Sequence, residues 1–202
     1  MKNLTFSILI SLLTLFSCKK PIANFTEPQP SDKKNILHFP KKILGDYSNP
    51  ELGFRLTINS NLITRTYSSI DTISSKEFKT AEAENIKLLS KISDSLYIVE
   101  FNIKDTLFSF KKGDVLRKLN QNYFLNVKNS DNNWNVTKLN FKHNFLTLSE
   151  IVNKTEIVLL NDITNQTSTD SIYPKTYSIN KKQFKEFVKK NGFSESEIYI
   201  KQ

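Results

Sequence analysis

The chain has 202 residues, a formal net charge of +9 and 38% hydrophobic residues, enough for one domain, or two small ones, to bury a core without metal or disulfide. Twenty-six lysines against three arginines are scattered along it, unlike the concentrated, arginine-rich face that nucleic acid favours. Four glycines cannot supply the close spacing of a phosphate loop or dinucleotide fingerprint, and one cysteine with two distant histidines offers no zinc ligand set; no nucleic acid, cofactor or metal is expected.

In chain order, Lys2 precedes an uncharged apolar stretch from Leu4 to Phe16, closed by Ser17 and the sole cysteine, Cys18. The stretch is shorter than the roughly 20 residues that span a bilayer and has the length of a signal-peptide core. The box Leu15-Phe16-Ser17-Cys18 resembles that of a bacterial lipoprotein, although Phe16 stands where a smaller residue is commoner. The resemblance implies a signal peptide over 1–17, lipid attachment at Cys18 and a membrane held through the N-terminal lipid. Lys19, Lys20 and Pro21 carry no acidic retention signal, which by the same resemblance places the protein on the outer membrane, facing the periplasm. Pro21, Pro28, Pro30 and Pro40, with few large apolar residues between them, predict a flexible tether over 18–40.

A single β-rich domain is expected over 41–202. Leu56, Ile58 and Leu62 alternate with polar residues around Asn59-Ser60-Asn61, a hairpin pattern. Further alternating stretches run over 96–101, 107–110, 115–119, 123–127, 134–141 and 145–151, broken by turn residues such as Lys112-Gly113-Asp114. Ile157 to Leu160 is a continuous apolar run, expected to be a buried strand. The fold class is mainly β: an antiparallel meander forming an open barrel or sandwich. A short helix is expected near 75–83, opened by the capping box Ser74-Ser75-Lys76-Glu77. A second is expected near 181–190. Asn180 caps it, Gln183 sits three residues on, Phe184, Phe187 and Val188 share a face, and Asn191-Gly192 supply the stop. This helix should cover an open edge or end of the sheet, and a last strand over 197–201 should place Ile198 and Ile200 on one side.

No catalytic motif emerges. The Ser-x-x-Lys pairs Ser17/Lys20, Ser31/Lys34, Ser109/Lys112 and Ser178/Lys181 occur about as often as chance predicts in so Ser- and Lys-rich a chain. His38 and His143 stand alone, His143 at a hairpin turn. Glu82/Glu84 and Glu195/Glu197 are assigned to solvated faces, and Asn129 to Asn133 to a turn rather than a calcium loop, since it lacks a terminal glutamate. Fifteen Phe, seven Tyr and Trp134 serve a core, or else line a cavity for one lipophilic ligand. Gly45-Asp46-Tyr47 is similar to the Gly-x-Trp that opens lipocalin-like barrels, with tyrosine in place of tryptophan. The resulting expectation is a monomeric, non-enzymatic binding module for an unknown protein or lipophilic ligand. The competing class is an envelope hydrolase whose carboxylates meet only in space.

Overall fold

The computed structural model describes residues 20–80, 85–166 and 172–202. Twelve strands join one sheet: β1 (Ala23–Phe25), β2 (Gly45–Asn49), β3 (Phe54–Ile58), β4 (Leu62–Ser74), β5 (Ile86–Lys91), β6 (Leu96–Ser109), β7 (Val115–Leu119), β8 (Asn122–Lys128), β9 (Trp134–Lys142), β10 (Phe145–Glu150), β11 (Lys175–Tyr177) and β12 (Glu195–Lys201). Three helices accompany them: α1 (Ser75–Thr80), α2 (Lys154–Thr164) and α3 (Lys181–Lys189). The strand order is β11-β1-β9-β10-β12-β2-β3-β4-β6-β5, with β8 on the other edge of β9 and β7 outside β8. All pairings but β1–β11 are antiparallel. The architecture is therefore mainly β, as expected, and the sheet does not close into a barrel.

The sheet curls so that side chains from β7 at one edge and β6, next to the edge strand β5, reach one cluster. Leu116 of β7 and Phe108 of β6 meet Tyr47, Leu56, Tyr123, Leu139, Leu146 and Tyr199 in the same core. The open seam is filled by chain. Ile36 bridges to Leu116, Phe39 N–H donates to the Ser60 carbonyl at 3.0 Å, and the Phe39 ring packs edge-on against Phe108 at 5.2 Å. Burial pushes the Tyr47 phenol up to about 12, and its hydroxyl donates to the Ile43 carbonyl at 2.9 Å. Large aromatic side chains thus fill the interior that a lipocalin-like reading of Gly45-Asp46-Tyr47 would leave hollow.

A second core lies on the opposite face of β8 and β9. Tyr123 and Leu125 point into the first core and Phe124 into the second, which is the period-2 alternation of a strand covered on both sides. Phe124 meets Phe184 of α3 at 4.9 Å, and Phe25, Phe187 and Phe193 complete the group. The α3 helix begins as the sequence expects: Asn180 Oδ1 accepts from Lys182 and Gln183 N–H, and the Gln183 side chain returns to Asn180 N–H. It covers this sheet face rather than an open edge. Gly192 is required just beyond it, since a Cβ there would lie 2.4 Å from the Phe187 ring.

Two expectations need correction. The run Ile157 to Leu160 lies in α2, not in a strand. Four apolar residues do not distinguish the two periods; Asn153 and Glu156 do, because they form a capping box, with Asn153 N–H donating to Glu156 Oε2 at 2.9 Å. Nor is the segment before 40 a tether once it passes Ile22. Ala23, Asn24 and Phe25 form a buried strand paired with β11 and β9, and Gln29, Ser31 and Phe39 are buried too. The prolines punctuate a docked segment instead of extending a free one.

Several turns fall where expected, at Asn59 to Asn61, at Gly113 (φ 87°) and at His143 (φ 50°). Ser74 and Glu77 form their capping box, with Ser74 N–H donating to Glu77 Oε2 at 2.8 Å, although the helix end expected over 81–83 lies outside the described residues. Strands β4 and β6 are longer than the alternation suggests, running as 13 and 14 residues in one ladder with a single irregularity at Ile63/Thr64. With β5 they make a three-stranded arm.

The docking of β1 is directly testable. Phe25 is fully buried against Phe184, so Phe25→Ala should cost about 3–5 kcal/mol in urea unfolding. A change below about 0.5 kcal/mol, typical of an exposed position, would restore the tether.

Candidate functional site

A cluster of charge on the inner face arises from residues distant in sequence. Cross-strand pairing sets Arg65 of β4 beside Leu56 of β3 and Asp105 of β6, so its side chain shares the core-facing side of the curl. Its guanidinium lies 3.7 Å from Asp105 Oδ2 and 3.8 Å from Glu197 Oε1 of β12. It also packs over the Phe54 ring at 4.9 Å and the Tyr67 ring at 5.8 Å, a favourable place for a planar cation.

Glu197 is committed at its other oxygen as well, where Oε2 accepts from the buried Tyr199 hydroxyl at 2.6 Å. Burial, and secondarily the Glu197 carboxylate, raise the Tyr199 phenol above its ordinary range. Glu150, at the end of β10, accepts from Thr137 Oγ1 at 3.1 Å. Its carboxyl is raised above the ordinary 4.5, chiefly by burial and further by nearby Glu197, against the Thr137 hydrogen bond and Arg65. Arg65 thus spans the concave face, tying β4 and β6 to β12, with one carboxyl of raised pKa beside it. Glu197 was expected on a solvated face; it is half-buried here, while Glu195 is exposed.

Chemically the cluster sets one buried carboxyl, Glu150, raised above its ordinary range, near a second carboxylate side chain, Glu197, and a guanidinium, and acid–base chemistry draws on carboxyls tuned by burial in this way. Its contacts, however, run inward, as hydrogen bonds from Thr137 and Tyr199 and ion pairs with Arg65. No sequence spacing signals it, because its members sit on β4, β6, β10 and β12.

The residues singled out from sequence do not converge. Cys18, Ser17 and the Glu82/Glu84 pair lie outside the described residues. His38 and His143 are both exposed in separate loops. Ser31 and Ser109 are buried whereas Lys34 and Lys112 are exposed, so neither pair forms a serine–lysine dyad. Ser178 is exposed on the approach to α3. Asn129 to Asn133 is a turn in which Asn129 Oδ1 accepts from Asp131 and Asn133 N–H. Among the described residues no group of three His, Cys, Asp or Glu is placed to hold a metal ion.

The other unusual surface is the β4–β5–β6 arm. Ile70 (65% exposed), Leu88, Leu89, Ile92 (56%) and Leu96 all lie open on it. Beyond β5 the sheet has no further strand among the described residues, so one edge of its ladder is unpaired. Comparison with known proteins gives no match of any kind: no family model, no curated protein and no solved structure resembles the chain at a significant level.

The sign of the Glu150 contribution follows from its shift. The folded protein binds that proton more tightly than the unfolded chain, so the stability from this group is present at low pH and lost as pH rises through the folded value. Glu150→Gln keeps an acceptor for Thr137 and removes the charge. It should be at least as stable as the natural protein at pH 7, with that advantage shrinking as pH falls toward 4.5. Thermal melts across this range that show a constant difference would contradict the assignment.

Proposed function

We propose that the protein is a lipid-anchored, non-enzymatic binding module on the periplasmic face of the outer membrane, docking a protein partner through the β4–β5–β6 arm. The observation that carries the binding part is the arm itself. Five large apolar side chains stand exposed along one three-stranded projection with an unpaired edge, and edge strands with apolar neighbours are a recurrent mode of peptide recognition. Along the arm the five lysines Lys76, Lys79, Lys87, Lys91 and Lys104 stand against four acids, Asp71, Glu77, Asp94 and Glu100, a near balance. Its docking therefore depends on apolar contact and strand pairing more than on net charge. The anchor rests on the Leu15-Phe16-Ser17-Cys18 resemblance. The lipophilic-carrier version gains no support, because Tyr47, Phe108 and Tyr199 occupy the interior.

A second reading, the envelope hydrolase, draws on one observation: Glu150 and Glu197 face the same concave surface beside Arg65. Their commitment to neighbouring side chains ranks it below the binding module.

Two measurements test the proposal. Cys18→Ser should lose palmitate labelling and leave the membrane fraction; lipid-free membrane attachment would sink the anchor. Double substitution of Leu88 and Ile92 to lysine should leave the protein folded and anchored yet abolish crosslinking of an envelope protein to the arm. Identical crosslinked partners with and without the substitutions would remove the arm from the binding site.

A further inference from the structure

We infer that the surface where the chain enters the fold, around Lys20, Ile172, Tyr173 and Lys175, lies directly on a phospholipid bilayer. This inference rests on the lipid-anchor reading and adds to it the orientation of the body.

Distance comes first. The sequence places Cys18 two residues before Lys20 and five before the first residue of β1. An extended chain covers at most about 3.6 Å per residue, so a lipid on Cys18 cannot lie more than about 7 Å along the chain from Lys20. The chain is held to the body by hydrogen bonds from Ile22 on. Ile22 N–H donates to the Ile151 carbonyl at 2.9 Å, and the Ile22 carbonyl accepts from Lys175 N–H at 3.0 Å. With no long tether, the anchor fixes which surface meets the membrane.

The chemistry of that surface suits the occupant. Ile172 is 74% exposed and Tyr173 stands partly exposed beside it. Lys175 Nζ lies 5.8 Å from the Tyr173 ring centre. Apolar bodies with polar tips, together with lysines, are what the headgroup region selects, and lysines add attraction to anionic lipid. Next to Lys20 a depression of about 340 Å³ opens, lined by Pro21, Asn24, Asn135 and Tyr173 among others. β5, which carries Leu88 and Leu89, ends the strand order opposite β11 and β1, which leaves the arm for a partner.

The sole tryptophan makes the test clean. In the lipidated protein, Trp134→Phe combined with Tyr173→Trp puts the single reporter on this surface, and Trp134→Phe combined with Ile92→Trp puts it at the arm tip. Each is reconstituted into vesicles of phosphatidylethanolamine and phosphatidylglycerol with brominated acyl chains. Quenching should be several-fold stronger at 173 than at 92. A protein that floats with the vesicles but shows equal or no quenching at 173 overturns this inference alone. A protein that does not float overturns the anchor reading and this inference with it.

Discussion

The fold depends on one buried side-chain amide, Asn126, and the backbone it holds. Gln29 and Asn126 are both fully buried. Gln29 N–H donates to Asn126 Oδ1, and Asn126 Nδ2 donates to the carbonyls of Gln29, Val115 and Phe124 at 2.9 to 3.1 Å. One side chain on β8 thereby satisfies the backbone of the N-terminal segment and of β7 and β8 together. Arg117 on β7 adds hydrogen bonds to the Pro28 and Pro30 carbonyls and to Asn35 Oδ1. A proline-rich segment cannot supply its own hydrogen-bond ladder, and these side chains stand in for one. Removing the Asn126 amide would leave several buried backbone groups unsatisfied at once.

Once pinned there, the segment serves both cores. Upstream, β1 places Phe25 among Phe184 and the other aromatic rings under α2 and α3. Downstream, Ile36 and Phe39 fill the seam that the unclosed sheet leaves beside β7. The sheet can therefore remain open in its hydrogen bonding without exposing its interior. At the third corner Glu156 ties α2 to the approach of β12: its Oε1 accepts from Ser194 N–H at 2.7 Å, and its Oε2 accepts from Val152 and Asn153 N–H.

Sequence reasoning reached the local features whose determinants are local. Asn180 with Gln183 marks α3, Ser74 with Glu77 marks α1, and Asn or Gly marks the turns at 59–61, 113 and 143–144. It failed where a distant partner decides. Ala23 to Phe25 is three residues long, and only β11 and β9 make it a strand. Ile157 to Leu160 is ambiguous alone, although Asn153 and Glu156 carried a legible helix start. The polar stretch Ser68 to Ser74 shows no core pattern because it belongs to the projecting arm, where β6 rather than a core holds it. The Arg65 cluster was hidden for the same reason: Arg65, Asp105, Glu150 and Glu197 become neighbours only through the curl of the sheet.

The docked N-terminal segment is what links the fold to the proposed function: with a lipid on Cys18, as proposed, it would shorten the connection to the body and so set which face meets the membrane. Hydrogen exchange on the full chain measures it most directly, at the amides of Ile22, Thr26 and Gln29, which donate to Ile151, Tyr177 and Asn126 respectively. The account predicts that these three exchange as slowly as the amides of β9 and β10, opening only with global unfolding. Exchange at the rate of an unstructured peptide, while β9 and β10 stay protected, would contradict it.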